Sequence, residues 1–461
     1  MGKYFGTDGF RGEVNVGLTA RHAYEIGRYL GRALKNAPDR QTAGRVRVVI
    51  GKDPRRSSYM YEYALSAGLT ASGADAYLLH VTTTPSVAFV TRTEGFDCGV
   101  MISASHNPYT DNGIKIFDRY GEKADEGLIL GIEEHLSLVE RGDEMANLKY
   151  AQGGDVGRTV DHAAGRNRYI GALIGLCKTS LSGVKIGLDM ANGSTFFIAK
   201  SVFDSLGAIT TAIHASPDGT NINGACGSTH PESLRQCLLE KGLDMAFAFD
   251  GDGDRCICVD ERGMIRDGDA IMYAMARELG RCNELENSLV VATVMSNSGF
   301  VRSLRDLGVS VVKTQVGDRY VYEKMSETGA SLGGEQSGHI IFSKHGLTGD
   351  GIVTAIKLAE TCVENKKKFS ELFEGLELYP QTLKNVRVGD KYALMKSPAA
   401  LAAIALAEEK ATENFGRVLV RPSGTERAVR ILVECKDSAL CKRLAEELHM
   451  ALKAVDSALS D

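Results

Sequence analysis

The stretch Val46-Arg-Val-Val-Ile-Gly-Lys-Asp53 is an apolar, β-branched run that ends in small and polar residues. A helical pattern follows it. The same design returns at Val184-Lys-Ile-Gly-Leu-Asp-Met-Ala-Asn-Gly193 and at Leu289-Val-Val-Ala-Thr-Val-Met-Ser-Asn297. Strands that alternate with helices predict βαβ units in parallel or mixed sheets. The recurrence suggests three copies of one α/β domain. Between the strands, Thr19 can cap a helix whose Ala23, Ile26, Leu30 and Leu34 share a face. A second helix is predicted over Tyr59–Ser72, stopping at Gly73. The last helix carries Leu440, Leu444, Leu448 and Leu452 on one stripe and reads as core packing.

The chain has 461 residues, 43% hydrophobic and 25% charged, which is globular composition and suggests three or four domains. Boundaries are expected at Gly153-Gly154, at Asp260-Glu-Arg-Gly263 and in the charged stretch 364–370, where Lys366-Lys-Lys368 reads as a solvated turn. The pieces are then 1–154, 155–259, 260–368 and 369–461. Fifty-one Gly against nine Pro point to many tight loops.

Charge and hydropathy exclude several classes. With 54 Lys+Arg, 59 Asp+Glu and no long basic run, nucleic acid is not an expected partner. The longest apolar stretches, such as Ile170–Cys177, are too short for a bilayer, so no membrane is expected either. The start lacks an apolar export core, and Gly6 replaces the Ser or Thr of a myristoylation signal. None of the ten cysteines forms a Cys-x-x-Cys pair. Cys256 and Cys258 fall on one face of a predicted strand and could bind metal, but no second Cys/His pair lies nearby. They read as buried reduced thiols in a cytoplasmic protein.

The sharpest chemical signal is Asp250-Gly-Asp-Gly-Asp-Arg255, directly after the strand-like run Met245-Ala-Phe-Ala-Phe249. Three carboxylates alternating with glycines can curl around one hard cation, and Mg²⁺ readily takes a phosphate as a further ligand. Asp250, Asp252, Asp254 and Glu261 also fit EF-hand ligand positions. Arg255 in place of the required glycine, and strand-like flanks, argue against that reading.

Ile102-Ser-Ala-Ser-His-Asn-Pro108 is a loop after a predicted strand, with Lys115 ten residues beyond Ser105. Ser105 beside His106 could be an activated nucleophile, or the segment could be a plain turn. Arg421-Pro-Ser-Gly-Thr-Glu426 with Arg430 is either a phosphate cradle or a turn with surface arginines. Gly333-Gly-Glu-Gln-Ser-Gly-His339 and Gly6-Thr-Asp-Gly-Phe-Arg-Gly12 are polar loops that suit sugar hydroxyls and a presented arginine, or ordinary turns.

Taken together and in order, GTDGFRG, SASHNP, DGDGDR, GGEQSGH and RPSGTE resemble the α-D-phosphohexomutase family from Gly6 to Arg430. The resemblance implies three similar mixed-sheet α/β domains plus a smaller C-terminal α+β domain around a central cleft. It implies that Ser105 carries a phosphoryl group. Asp250, Asp252 and Asp254 would hold one Mg²⁺ per chain, with the Ser105 phosphate as a further ligand. Glu335 and Ser337 would bind sugar hydroxyls. Arg421, Ser423, Gly424, Thr425 and Arg430 would bind the phosphate that is not reacting. Arg11, Lys115 and Arg255 would neutralise the transferring group, with His106 beside the nucleophile and Lys115 or His339 as general acid/base.

The implied reaction is isomerisation of a small-molecule sugar phosphate through a hexosamine or hexose 1,6-bisphosphate, which is also the activator. A homodimer is left open. The GTDGFRG opening, Gln336, and Asn221-Ile-Asn with Cys226-Gly-Ser-Thr-His-Pro-Glu232 resemble the amino-sugar branch. There the substrates are glucosamine 6-phosphate and glucosamine 1-phosphate, used for cell-wall precursors. Two positions depart from the family pattern: Arg427 stands where Pro is usual, and Leu347 where Thr is common. A glucose or mannose phosphate mutase and a Mg²⁺-dependent phosphatase are the competing readings. A non-catalytic sensor would need neither Ser105 nor Lys115 nor the three aspartates.

Overall fold

The computed structural model describes residues 3–6, 8–37, 44–422 and 427–460. By internal contacts the chain separates into two units, residues 1–295 with 309–374, and residues 296–308 with 375–461.

The first unit holds three mixed sheets. In the first, β1 (Phe5–Gly6), β2 (Gly9–Glu13), β3 (Arg47–Lys52), β4 (Asp75–Val81), β5 (Cys98–Ile102), β6 (Asp111–Phe117) and β7 (Thr159–Asp161) lie in the order β1-β2-β6-β5-β3-β4-β7. The second comprises β8 (Lys185–Asp189), β9 (Ile209–Ile213), β10 (Met245–Phe249), β11 (Cys256–Asp260) and β12 (Ile265–Arg266), ordered β12-β11-β10-β8-β9. The third has β13 (Leu289–Thr293), β14 (Ser310–Thr314), β15 (Leu332–Gly334) and β16 (Ile340–Phe342), ordered β14-β13-β15-β16.

One plan governs all three. In each, a parallel core is followed by an antiparallel return: β5 to β6, β10 to β11, β15 to β16. Each return turns through one of the motifs singled out by sequence. SASHNP lies between β5 and β6, DGDGDR between β10 and β11, and the EQSGH residues between β15 and β16. The threefold repeat of the strand pattern thus places three of the motifs at the same position, at the carboxyl end of a parallel strand, where ligands bind in open α/β sheets.

The central strands are buried throughout. Val48, Val49 and Ile50 of β3, all of β10 and all of β13 are inaccessible or nearly so, as continuous apolar runs covered on both faces should be. Thr19 caps the helix Ala20–Lys35 through a reciprocal pair with His22. The next helix, Arg56–Ala71, begins three residues earlier than expected, and Gly73 follows it with φ +88°. The first sheet also runs past the expected boundary at 154, because β7 pairs with β4. The second runs past 259, because β12 pairs with β11.

The second unit is built on β17 (Gln381–Arg387), β18 (Arg417–Pro422) and β19 (Ala428–Glu434), an antiparallel sheet ordered β17-β19-β18. The helix Ser438–Ser460 covers it, and Leu440, Leu444, Leu448 and Leu452 are all buried. Each such leucine contributes roughly 1.5–3 kcal/mol. The helix Ser298–Asp306, expected in the third domain, belongs to this unit. Asn297 Nδ2 donates to the Tyr379 carbonyl at 2.9 Å, and Ser298 N donates to Glu434 Oε1 at 2.6 Å.

One buried carboxyl makes stability depend on pH. Asp350 caps the helix Gly351–Glu364, accepting from Ile352 N and Val353 N at 3.0 Å and from the Tyr169 hydroxyl at 2.7 Å. Burial pushes its pKa up to about 6. The folded chain therefore holds a proton here between about pH 4 and 6 that the unfolded chain has released. The stability that this proton contributes is lost as pH rises through 6. Asp350→Asn keeps the acceptor and cannot titrate. The stability of wild type relative to Asp350→Asn should fall by about 2–3 kcal/mol from about pH 4 to 7. Denaturant unfolding at both pH values measures it, and a pH-independent difference would mean that Asp350 ionises normally.

Candidate active site

Ser105 is fully buried, and its backbone sits in the left-handed region at φ +52°. A non-glycine residue is held there only by strong local constraint. The constraint is visible. Ser105 N donates to Ser103 Oγ at 2.9 Å, and Ser103 Oγ donates to Asp53 Oδ2 at 2.7 Å. The Ser105 carbonyl accepts from Arg55 Nη2 at 3.0 Å and from Asn223 Nδ2 at 2.8 Å. Arg55 has no exposed surface, and its guanidinium also binds the carbonyls of Asn107, Pro108 and Asp111. Asp53 pairs with it at 2.7 Å. One buried ion pair therefore shapes the loop that presents the serine. Ser105 Oγ donates to Asp250 Oδ2 at 2.6 Å.

The DGDGDR loop packs directly on this serine loop. A Cβ on Gly251 would lie 2.5 Å from the Ser105 carbonyl oxygen, so only glycine permits the approach. The flanks are the antiparallel strands β10 and β11, which removes the EF-hand reading. One carboxylate oxygen from each of Asp250, Asp252 and Asp254 lies within 4.8 Å of the others.

The three carboxylates are buried, and Asp252 Oδ1 and Asp254 Oδ1 have no hydrogen-bond partner. Burial, then Asp254 and Asp252, pushes the Asp250 carboxyl well above the usual range. Orphaned acidic oxygens in a desolvated cluster are what a hard divalent cation would satisfy, and an all-oxygen donor set suits Mg²⁺.

Cations close the site. Lys115 on β6 places Nζ 2.9 Å from Asp252, 3.2 Å from Asp254 and 3.3 Å from Asp8. Burial opposes its charge, but Asp252, Asp8 and Asp254 outweigh it and hold the ammonium protonated. Burial likewise opposes ionisation of Asp254, yet Lys115, His339 and Arg255 hold its carboxyl well below the usual range. Arg255 Nε lies 3.9 Å from Asp254. Arg11 pairs with Asp8 and donates to Asn107 Oδ1 at 3.4 Å. The His106 imidazole is pushed down to about 4 by burial, then by Arg255 and Arg11, so it is neutral near pH 7.

His339 is paired to Arg255 by a β-bridge. Its Nε2 accepts from Gly349 N at 2.9 Å, which puts the ring proton on Nδ1, 3.7 Å from Asp254 Oδ2. Burial works against further protonation, while Asp254, Asp318 and Glu335 favour it. Protonating Nε2 would require the Gly349 N–H to let go. Glu335 Oε1 accepts from Gly317 N at 3.0 Å, and Ser337 is exposed beside it. Gln336 instead packs on the helix Gly268–Arg281, donating to Asp267 at 3.1 Å.

In the second unit, Arg421 and Arg430 face each other across β18 and β19. Burial, then Arg430, lowers the Arg421 pKa. Like charges directly opposite are unfavourable unless an anion joins them. Ser423, Gly424 and Thr425 lie outside the described residues. Arg427 is exposed. Cys256 and Cys258 are buried with their thiols pushed up by burial, and neither belongs to a potential metal-binding group among the described residues.

Several positioning residues were not singled out by sequence. Asp8 lies inside GTDGFRG, whose reading rests on Arg11 alone, and Asp53 closes the strand-like run Val46–Asp53. Arg55, two residues on, was the available signal for the buried pair. Lys123 bridges Asp8 at 2.8 Å and Asp318 at 2.6 Å, and no local pattern marks either Lys123 or Asp318.

Family descriptions match nearly the whole chain. Phosphoglucomutase/phosphomannomutase alpha/beta/alpha domain I matches residues 2–141, domain II 167–263, domain III 267–379 and the C-terminal domain 383–450. The phosphoglucosamine mutase of Lachnospira eligens is 52% identical over 98% of this chain and 99% of its own. That of Lachnoclostridium phytofermentans is 51% identical over 98% of each. Among solved structures, a phosphoglucomutase/phosphomannomutase family protein from Burkholderia thailandensis aligns with TM-score 0.79 at 24% identity, covering 97% of both chains. The N-acetylphosphoglucosamine mutase of Aspergillus fumigatus, in complex with GlcNAc-6P and magnesium, aligns with TM-score 0.66 at 18% identity, covering 98% of this chain and 96% of its own.

Proposed function

The chain belongs to the phosphoglucomutase/phosphomannomutase family, and from that premise we infer that it interconverts glucosamine 6-phosphate and glucosamine 1-phosphate. The observation that carries the chemistry is Ser105 Oγ, fully buried and 2.6 Å from Asp250 in the aspartate cluster. The identity to phosphoglucosamine mutases over almost the full length carries the substrate.

In this reading Ser105 holds a phosphoryl group and gives it to a hydroxyl of the bound sugar phosphate. The Oγ–P bond breaks and a sugar O–P bond forms, which makes the 1,6-bisphosphate. The sugar hydroxyl loses its proton, and Ser105 Oγ regains one and returns to its hydrogen bond with Asp250. The other phosphate then passes back to Ser105. Asp250, Asp252 and Asp254 would hold Mg²⁺. When bound, that ion supplies Lewis-acid polarisation of the phosphoryl group.

Phosphoryl transfer depends on positioning and charge neutralisation. Lys115, fixed in its ammonium form by three carboxylates, supplies charge along with Arg11 and Arg255. A group held protonated is a poor base, which leaves His339 as the proton acceptor once Gly349 N–H releases Nε2. His106, neutral beside Ser105, adds no charge to the site. Glu335 and Ser337 would contact sugar hydroxyls. Arg421 and Arg430 would bind the phosphate not in transfer, with Ser423, Gly424 and Thr425.

No helix among the described residues is long and apolar enough to cross a membrane. Ten free cysteines favour a reducing, cytoplasmic setting.

The test compares kcat/KM for glucosamine 6-phosphate, glucose 1-phosphate and mannose 1-phosphate, with Mg²⁺ and catalytic hexose 1,6-bisphosphate. We expect the amino sugar to be preferred at least tenfold, about 1.4 kcal/mol of transition-state discrimination. Faster turnover of a neutral sugar would keep the mechanism and replace the substrate. Release of inorganic phosphate without isomerisation would identify a phosphatase.

A further inference from the structure

Behind the serine and aspartate loops lies a second cluster that the mutase chemistry does not use. Asp189 ends β8, His214 follows β9, and Cys226 lies in the segment between β9 and the helix Glu232–Lys241. One ligand atom from each lies within 4.8 Å of the other two. We propose that Asp189, His214 and Cys226 bind one borderline-soft divalent cation of the Zn²⁺ class, separately from the hard cation of the aspartate triad.

The geometry fits such an ion. His214 Nδ1 is 3.1 Å from Asp189 Oδ1. Two ligands about 2.0–2.2 Å from a tetrahedral Zn²⁺ are about 3.3 Å apart, so this spacing is that of a shared coordination edge. His214 Nδ1 is buried and faces the Asp189 carboxylate, an ion-pair contact that a shared cation would replace. Asp189 is oriented from behind, as ligating carboxylates are. Its Oδ1 accepts from Ala191 N and its Oδ2 from Gly227 N, both at 2.9 Å.

Asp189 and Cys226 have no exposed surface, whereas the His214 side chain is 31% exposed. An ion and a fourth, water ligand would therefore enter from the histidine side. Ala191, Asn192, His214 and Ala225 all have positive φ between 46° and 52°. Left-handed backbone from three separate loops thus lies next to the three proposed ligands.

The donor set decides the ion. Mg²⁺ prefers oxygen and keeps its waters, whereas a thiolate with an imidazole and a carboxylate suits Zn²⁺ or Co²⁺. A cysteine thiol, with an ordinary pKa of about 8.5, carries its proton near neutral pH. Binding therefore forms an S–metal bond and releases the thiol proton to solvent. The loop that carries Cys226 also touches the serine loop. Asn223, three residues before Cys226, donates to the carbonyls of Ser105 and Asn107 at 2.8 and 3.1 Å. An ion here would tie the loops at 189–192, 214 and 223–227 into one support for that contact.

The test titrates Co²⁺ into the full-length protein under excess Mg²⁺. The expected result is one Co²⁺ per chain with a thiolate-to-cobalt charge-transfer band in the near ultraviolet. Asp252→Asn should keep the band. Cys226→Ala should lose it, and His214→Ala should weaken binding at least tenfold. On the unaltered protein, calorimetry with Zn²⁺ in buffers of different ionisation enthalpy should show about one proton released per ion bound, which keeps the test open if a variant misfolds. No charge-transfer band in the wild type would overturn the proposal. So would a band that survives Cys226→Ala, and either result would leave Asp189 and His214 as an ion pair only. The mutase reading stands or falls separately, on the sugar-phosphate assay.

Discussion

Ser105→Ala is expected to lower kcat/KM for isomerisation by four or more orders of magnitude, as removal of a covalent nucleophile does elsewhere. The serine hydroxyl is the phosphoryl carrier in the proposed cycle, and Lys115, held as a protonated ammonium, has no lone pair with which to replace it. The variant should still fold. Alanine tolerates the φ of +52° as poorly as serine does, so the backbone strain is unchanged. The lost hydrogen bond to Asp250 contributes only about 1–2 kcal/mol. The measurement pairs steady-state isomerisation with intact-mass detection of the phosphoprotein. Both signals should vanish together while the melting temperature moves by only a few degrees. If Ser105→Ala kept a tenth of the activity, the carrier would be another residue.

Arg55→Met should be the most damaging single change in the scaffold of the site. The guanidinium binds the carbonyls of Ser105, Asn107, Pro108 and Asp111 and pairs with Asp53. Removing it strands a buried carboxylate that keeps only the Ser58 and Ser103 hydroxyls and the Arg55 amide. Breaking one side of a buried pair costs about 3–5 kcal/mol, roughly 10 °C for a domain of this size. Activity should fall as well, because Ser105 loses part of what holds its unfavourable backbone. A second change separates charge from shape. Asp53→Asn combined with Arg55→Met removes the stranded charge and should recover part of the stability, but not the activity. Calorimetric melting of wild type and the two variants would falsify this account if Arg55→Met melted within about 2 °C of wild type.

Much of the site was legible because its chemistry is local. Asp250, Asp252 and Asp254 alternate with glycines inside six residues, so a cation loop can be read from the chain without knowing the fold. Ser105 is marked in the same way by its place just after an apolar strand. The stripe of Leu440, Leu444, Leu448 and Leu452 is legible because helical spacing alone puts those residues on one face. Their burial follows from that face.

Other parts depend on which distant segments meet. Ser105 reaches Asp250 across 145 positions, and Lys123 reaches Asp318 across 195. Such pairings are set by strand order and register, which local spacing does not encode. Arg55 illustrates the difference. By sequence it is a charged residue after a proline, whereas in the fold it is the buried support of the loop that carries Ser105. The helix Ser298–Asp306 joins the C-terminal unit because Asn297 and Ser298 bond to Tyr379 and Glu434. Asp189, His214 and Cys226 are likewise unremarkable apart.

By itself, the sequence determined the repeated α/β design, the order of the five loops and the acid, base and nucleophile types that each loop supplies. Periodicity and side-chain chemistry are carried by neighbours along the chain. Only the tertiary structure decided that three of those loops occupy the same hairpin position in three sheets. It also decided which buried charges are paired and which carboxylate oxygens are left for a cation. Burial and pairing are properties of residues far apart in sequence, and they exist only once the sheets are assembled.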